Sequence, residues 1–244
     1  MATLVAEKRH QARSIAKRLQ DIDGVDGVCL FGSLARGEPD EWSDIDLLVV
    51  AREEELRPTT LLAALPEPLK RERLSFVCYS SEELLDLFKA GSSFIDHLRH
   101  EGKVLFDRSG VLRHVLSGPF EPQAGVREEL EAELRRLDAY DDLALFKGNL
   151  LFCLAQLYAI GKAIVILGVI AGGRREYARD RAFESFRELH PSLRRDVATV
   201  EALRPFYRLV TRRRSESLPF PYRGAESQAR EAIKAIRRIA SEVE

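Results

Sequence analysis

The chain has 244 residues, with 38 Lys and Arg against 39 Asp and Glu, 45% hydrophobic and 32% charged. That composition suits a protein with one or two buried cores and excludes collagen-like, disordered and disulfide-scaffold classes. A formal charge of −1 also excludes a coat for nucleic acid or anionic membrane over the whole surface, yet the balance is uneven: residues 173–244 carry 17 basic and 11 acidic side chains (+6), leaving 21 and 28 (−7) for residues 1–172.

In chain order, the apolar positions Ala12, Ile15, Ala16 and Leu19 have helical spacing and predict a helix over residues 8–20, closed by Gly24. Val25–Phe31 and Ile45–Val50 read as strands, the second so continuously apolar that both of its faces are expected to be buried. A helix-favouring stretch at 53–65 precedes a strand at 74–79, helices at 82–88 and 94–100, and a fourth strand at 103–106. Residues 109–125 concentrate Ser-Gly, Gly-Pro and Glu-Pro breakers and read as a linker. Beyond it, 126–142, 145–171, 175–189, 192–207 and 226–243 all have helical period. The expected fold class is therefore α+β: a small mixed-sheet domain with flanking helices over residues 1–108, then an all-α helical bundle over 126–244.

Leu150–Gly173 is apolar enough to raise a transmembrane reading, but Gln156 and Lys162 favour a buried bundle helix, since a central Lys costs about 2.5–3.5 kcal/mol in a bilayer. No membrane partner is expected. Cys29, Cys78 and Cys153 are far apart in apolar runs, which offers neither a metal site nor a disulfide framework, and the N-terminus reads as an amphipathic helix rather than an export signal. A reducing cytoplasm is the expected compartment.

The informative stretch is Leu30-Phe31-Gly32-Ser33-Leu34-Ala35-Arg36-Gly37, followed after six residues by Ser43-Asp44-Ile45-Asp46-Leu47-Leu48-Val49. Gly32 at a strand end lets the backbone approach a ligand, and Ser33 is expected to cap a short helix whose free N–H groups suit phosphate. Asp44 and Asp46 are two apart, so in a strand both carboxylates leave one face and can share Mg²⁺. The intervening loop allows an antiparallel return, which sets the two motifs at the same sheet edge. A phosphate cradle facing a divalent-metal site is what phosphoryl or nucleotidyl transfer requires.

The run GSLARGEPDEWSDIDLLV resembles the signature of the polymerase-beta-like nucleotidyltransferase superfamily, in the branch similar to kanamycin nucleotidyltransferase and the minimal nucleotidyltransferases. The resemblance implies an NTP co-substrate held by Gly32 and Ser33, with Arg36 orienting the motif or the phosphates and Ser43 also on the nucleotide. It implies Mg²⁺ or Mn²⁺ on Asp44 and Asp46, and a hydroxyl acceptor on a small molecule or a partner protein.

The family normally adds a third acidic residue on the next core strand, where this chain has Ser75; Glu72 and Asp96 are the nearby carboxylates. Serine is neither a strong metal ligand nor a base near neutral pH. A second reading is therefore a degenerate nucleotide-binding or partner-neutralising module. His97 and His100 share a helical face but lack a neighbouring carboxylate or cysteine in sequence, so solvated or capping roles are expected. Arg204, Arg208, Arg212–Arg214, Lys234, Arg237 and Arg238 could form a basic face, with pairing to the bundle's own Glu residues as the alternative; a nucleic-acid role is disfavoured. The bundle resembles helical domains of the HEPN type, but Arg187 and His190 have the wrong spacing for their RNase motif. Its expected work is to close over the cleft and read the acceptor.

Overall fold

The computed structural model describes residues 2–39, 43–52, 56–70, 73–121, 125–212 and 224–243. The chain divides into two compact units, residues 1–124 and 125–244.

The first unit is built on a four-stranded sheet in the order β3-β2-β1-β4, from β1 (Val25–Phe31), β2 (Ile45–Ala51), β3 (Leu74–Ser80) and β4 (Lys103–Asp107). β2 and β4 run antiparallel to β1, and β3 is parallel to β2, so the sheet is mixed. The helices are α1 (Ala2–Gln20), α2 (Gly32–Arg36), α3 (Pro58–Ala64), α4 (Glu67–Lys70), α5 (Ser81–Lys89), α6 (Ser93–Glu101) and α7 (Val111–Ser117). On one face, Val28, Leu30, Ile45, Leu47 and Val49 bury the stripe of α1 (Ala12, Ile15, Ala16, Leu19) together with Leu61 of α3. On the other, Cys29, Phe31, Leu48 and Val50 bury Leu84 of α5, Ile95 and Leu98 of α6, and Leu112 and Val115 of α7. β2 is apolar from Leu47 to Ala51 because each of its faces meets a helical layer there; Asp46 is the exception near its start.

Two local differences from the sequence reading have simple causes. The stretch 109–125 is not wholly irregular: its breakers bracket α7, whose Leu112 and Val115 are fully buried. Between Glu53 and Leu65 the helix begins only at Pro58, which suits a first helical position because it has no N–H to leave unpaired; residues 53–55 lie outside the described part. α5 is started by a reciprocal capping box between Ser80 and Glu83.

The second unit comprises α8 (Val126–Asp138), a 3₁₀ turn at Leu143–Phe146, α9 (Leu150–Ala171), α10 (Arg179–Leu189), a 3₁₀ turn at Pro191–Leu193, α11 (Arg194–Glu201), α12 (Arg204–Arg212) and α13 (Ala225–Ala240). α9 is long and apolar enough to cross a membrane by length and composition, but here it is the central helix, packed against α8, α10, α11, α12 and α13. It starts at Leu150 rather than Leu145 because Lys147 and Gly148 take left-handed backbone. The segment expected as one helix over 192–207 is two, with Pro205 in the first turn of α12, where it cannot continue α11.

Candidate active site

The sheet register brings the two halves of the motif together. Phe31, the last residue of β1, pairs with Asp46, and Asp46 pairs on its other side with Ser75 of β3. Gly32 then turns the chain with φ of +73°, and a Cβ at this position would lie 2.3 Å from Asp46 Oδ2. No other residue fits there: the backbone conformation disfavours a side chain and the carboxylate occupies its space. The expected capping role of Ser33 is corrected by this geometry. β1 stays paired through Phe31 and Gly32 leads directly into α2, so Phe31 is the cap residue, no side chain caps the helix, and Ser33 sits half-buried inside the first turn. α2 ends after one turn at Gly37, itself left-handed with φ of +85°.

Asp44 lies just before β2 rather than within it, and Asp46 points to the sheet face that carries α6. Burial, and then the neighbouring charge of Asp44, push the Asp46 carboxyl up to about 6; a hydrogen bond from the Ser75 hydroxyl and the charge of Arg36 act in the opposite direction. Two half-buried carboxylates two positions apart, one of them pushed up by burial and by the charge of the other, beside a glycine that brings no side chain, form a donor set that fits one divalent cation. Ser43 is buried, and its carbonyl accepts a hydrogen bond from Lys8 Nζ of α1.

The third carboxylate expected beside this pair is replaced by Ser75 in register as well as in sequence. Among the described residues, no group of three or more His, Cys, Asp or Glu side chains could hold a metal ion. Asp96 is buried in the first turn of α6, and Glu72 lies outside the described residues.

Sequence reasoning missed Glu101, the last residue of α6. Its side chain is 3% exposed and ion-paired to Arg36 Nη1 at 2.5 Å through Oε2. Oε1 accepts the Gly32 N–H at 2.9 Å and is also bonded to His97 Nε2. Burial alone would raise the Glu101 carboxyl, but His97 and then Arg36 hold it below the usual carboxylate range. His97 is thus held by the fold rather than simply solvated: it sits one turn before Glu101 and edge-on to Phe31 at 5.8 Å. The available signal was the i, i+4 spacing of His97 and Glu101 on the amphipathic α6, next to the helix-ending Gly102.

In the bundle the C-terminal basic residues are largely committed. Arg204 pairs with Asp180, Arg237 with Asp138 and Asp141, Arg238 with Asp196, and Arg187 with Glu201. Arg213 and Arg214 lie outside the described residues. All three cysteines are free thiols, and burial pushes Cys29 up to about 12 and Cys153 up to about 11.

Residues 12–90, all within the first unit, match the family described as the nucleotidyltransferase domain. Along the whole chain the fold is similar to that of the spectinomycin adenyltransferase AAD(9) from Enterococcus faecialis, whose crystal structure contains ATP and spectinomycin. That likeness has a TM-score of 0.54 at 13% identity and covers 95% of this chain and 99% of the other. A nucleotidyltransferase-like protein from Exiguobacterium sibiricum 255-15 aligns at 16% identity with a TM-score of 0.36, over 95% of this chain and 74% of its own. A toxin-antitoxin structure with AMP-PNP aligns at 20% identity with a TM-score of 0.33, over 55% of this chain and 98% of its own. No curated protein sequence matches the chain.

Proposed function

We propose that the chain transfers a nucleoside monophosphate from an NTP to a hydroxyl group of a small molecule or a protein, with Mg²⁺ or Mn²⁺ bound by Asp44 and Asp46. The observation that carries this reading is the approach of Asp46 Oδ2 to the Gly32 turn: a Cβ at residue 32 would lie 2.3 Å from that oxygen, so the turn and the carboxylate can sit together only because residue 32 is glycine. Ser33 offers its N–H and hydroxyl to the triphosphate, whereas the Gly32 N–H is already taken by Glu101. Arg36 is held by Glu101 and lies 3.4 Å from Glu38, so it orients the motif rather than the phosphates. A bound divalent cation would supply charge neutralisation on phosphate oxygens and acidify the acceptor hydroxyl. The acceptor oxygen bonds to the α-phosphorus, the α–β phosphoanhydride breaks and pyrophosphate leaves. The hydroxyl proton passes to water, because Ser75 cannot take it near neutral pH.

Ser75 also favours a second reading, a nucleotide-binding or partner-neutralising module without transfer. ATP is the first nucleotide to test, since the structure that shares this fold was solved with ATP. Mass spectrometry of spectinomycin, aminoglycosides and co-purifying proteins, each incubated with NTP and Mg²⁺, separates the two readings. A mass increase of one nucleoside monophosphate, lost in Asp46→Asn, supports transfer; Mg²⁺-dependent NTP binding with every acceptor unmodified supports the second reading.

A further inference from the structure

We propose that Glu101 is a positioning residue for this site, holding the Gly32–Arg36 turn in the shape that receives the triphosphate; this rests on the nucleotide-binding reading above. α2 is a single turn with no side-chain cap and no acidic residue in its first turn, so it cannot be stable by itself. Glu101 ties down both of its ends: Oε1 accepts from the N–H of Gly32, the first residue, and Oε2 pairs with Arg36, the last. The residues joined are 69 and 65 positions apart in sequence, so this one carboxylate fastens the end of α6 to the end of β1. His97 bonds to the same oxygen as Gly32, and its ring stands edge-on to Phe31, the residue that precedes the turn.

Two alternatives are weaker on the same observations. Glu101 could replace the missing third metal ligand, but both of its oxygens are engaged by three donors, and recruiting it would strip the Gly32 N–H of this acceptor and Arg36 of its shorter ion pair. It could serve general stability only, but its contacts converge on the turn that faces Asp46 rather than on the sheet core.

The test uses the full chain, reading amide hydrogen exchange without ligand and MgATP affinity by calorimetry. In Glu101→Ala the Gly32 amide should exchange at least roughly tenfold faster while Val28 and Leu48 in the sheet remain protected, and MgATP affinity should fall roughly tenfold or more, the scale of a lost charge-assisted hydrogen bond. Glu101→Gln keeps an oxygen for the Gly32 N–H and should restore that amide's protection while recovering only part of the affinity. If Glu101→Ala does not fold, Glu101→Gln and Arg36→Met each break the Arg36 pair; their losses in affinity should match, and the double variant should lose no more than either. Unchanged exchange at Gly32, loss of protection spread evenly over the sheet, or additive losses in the double variant would overturn the proposal. Wild-type protein that binds no MgATP overturns the nucleotide reading and with it the purpose assigned to Glu101, a result distinct from unchanged Gly32 exchange in a protein that does bind.

Discussion

The two units bury different things. Among the described residues, the buried polar or charged side chains of the first unit are Ser43, Ser80, Ser92, Asp96 and Glu101, whereas the second buries only Asp196, paired with Arg238. The bundle instead uses glycine for closeness: a Cβ at Gly161 would lie 2.7 Å from Val200, and one at Gly168 2.4 Å from Phe186. Glycine also allows a close approach in the first unit, but at Gly32 the neighbour is a carboxylate. One unit is thus packed for stability; in the other, Ser80 and Ser92 cap helices, but Ser43, next to Asp44, and Glu101, bonded to Gly32, are desolvated polar groups close to the motif, a cost that functional sites accept.

The largest expected contrast is between Gly32 and Gly161. Gly32→Ala should reduce MgATP affinity by more than roughly tenfold while leaving the helical signal of the bundle intact, because it strains φ and drives a methyl into Asp46. Gly161→Ala should leave the nucleotide site intact and destabilise the bundle by about 1–3 kcal/mol, as overpacking does. Denaturant unfolding and calorimetric titration of both variants would read the two effects, and equal losses of affinity would break the contrast.

A second expectation concerns pH. With the Asp46 carboxyl near 6 in the native state and near 3.8 in its ordinary state, the folded chain binds the extra proton between these values. Metal-free stability should therefore fall as pH rises from about 4 through 6 and then level off, by up to about 3 kcal/mol. Asp46→Asn removes this penalty, so without metal it should melt above wild type at pH 7.5 and level with it near pH 4. Mg²⁺ should raise the melting temperature of wild type but not of the variant. A variant less stable than wild type at pH 7.5 would contradict the assignment.

Two smaller effects sharpen the picture. Ser75→Asp sets a carboxylate beside Asp46 in register and, where transfer is limited by proton removal, should raise turnover; mass spectrometry under single-turnover conditions would show it. Cys29 and Cys153, buried and with thiols pushed well above neutral, should resist alkylation at pH 7.5 until the chain is unfolded, as thiol titration would reveal.

Much of this was legible in the sequence. The stripe of α1, the uninterrupted apolar run of β2 and the spacing of Gly32, Asp44 and Asp46 each follow from local periodicity, and their antiparallel juxtaposition follows from the short connecting loop. α7 escaped because two buried residues, Leu112 and Val115, are too few to overcome the surrounding breakers, though they are enough once the sheet supplies a surface. Glu101 escaped for a different reason. Its partners Gly32 and Arg36 lie more than sixty residues away, and no pattern confined to one helix reveals a contact made by topology.

The central claim is that the sheet edge at Gly32, Asp44 and Asp46 binds a nucleoside triphosphate with a divalent cation. Calorimetric titration of ATP into wild type, Asp44→Asn and Asp46→Asn, each with Mg²⁺ and with a chelator, tests it most directly. Saturable, Mg²⁺-dependent binding by wild type that both variants lose is the predicted result; binding that survives in both variants, or no binding by wild type to any nucleoside triphosphate, would contradict it.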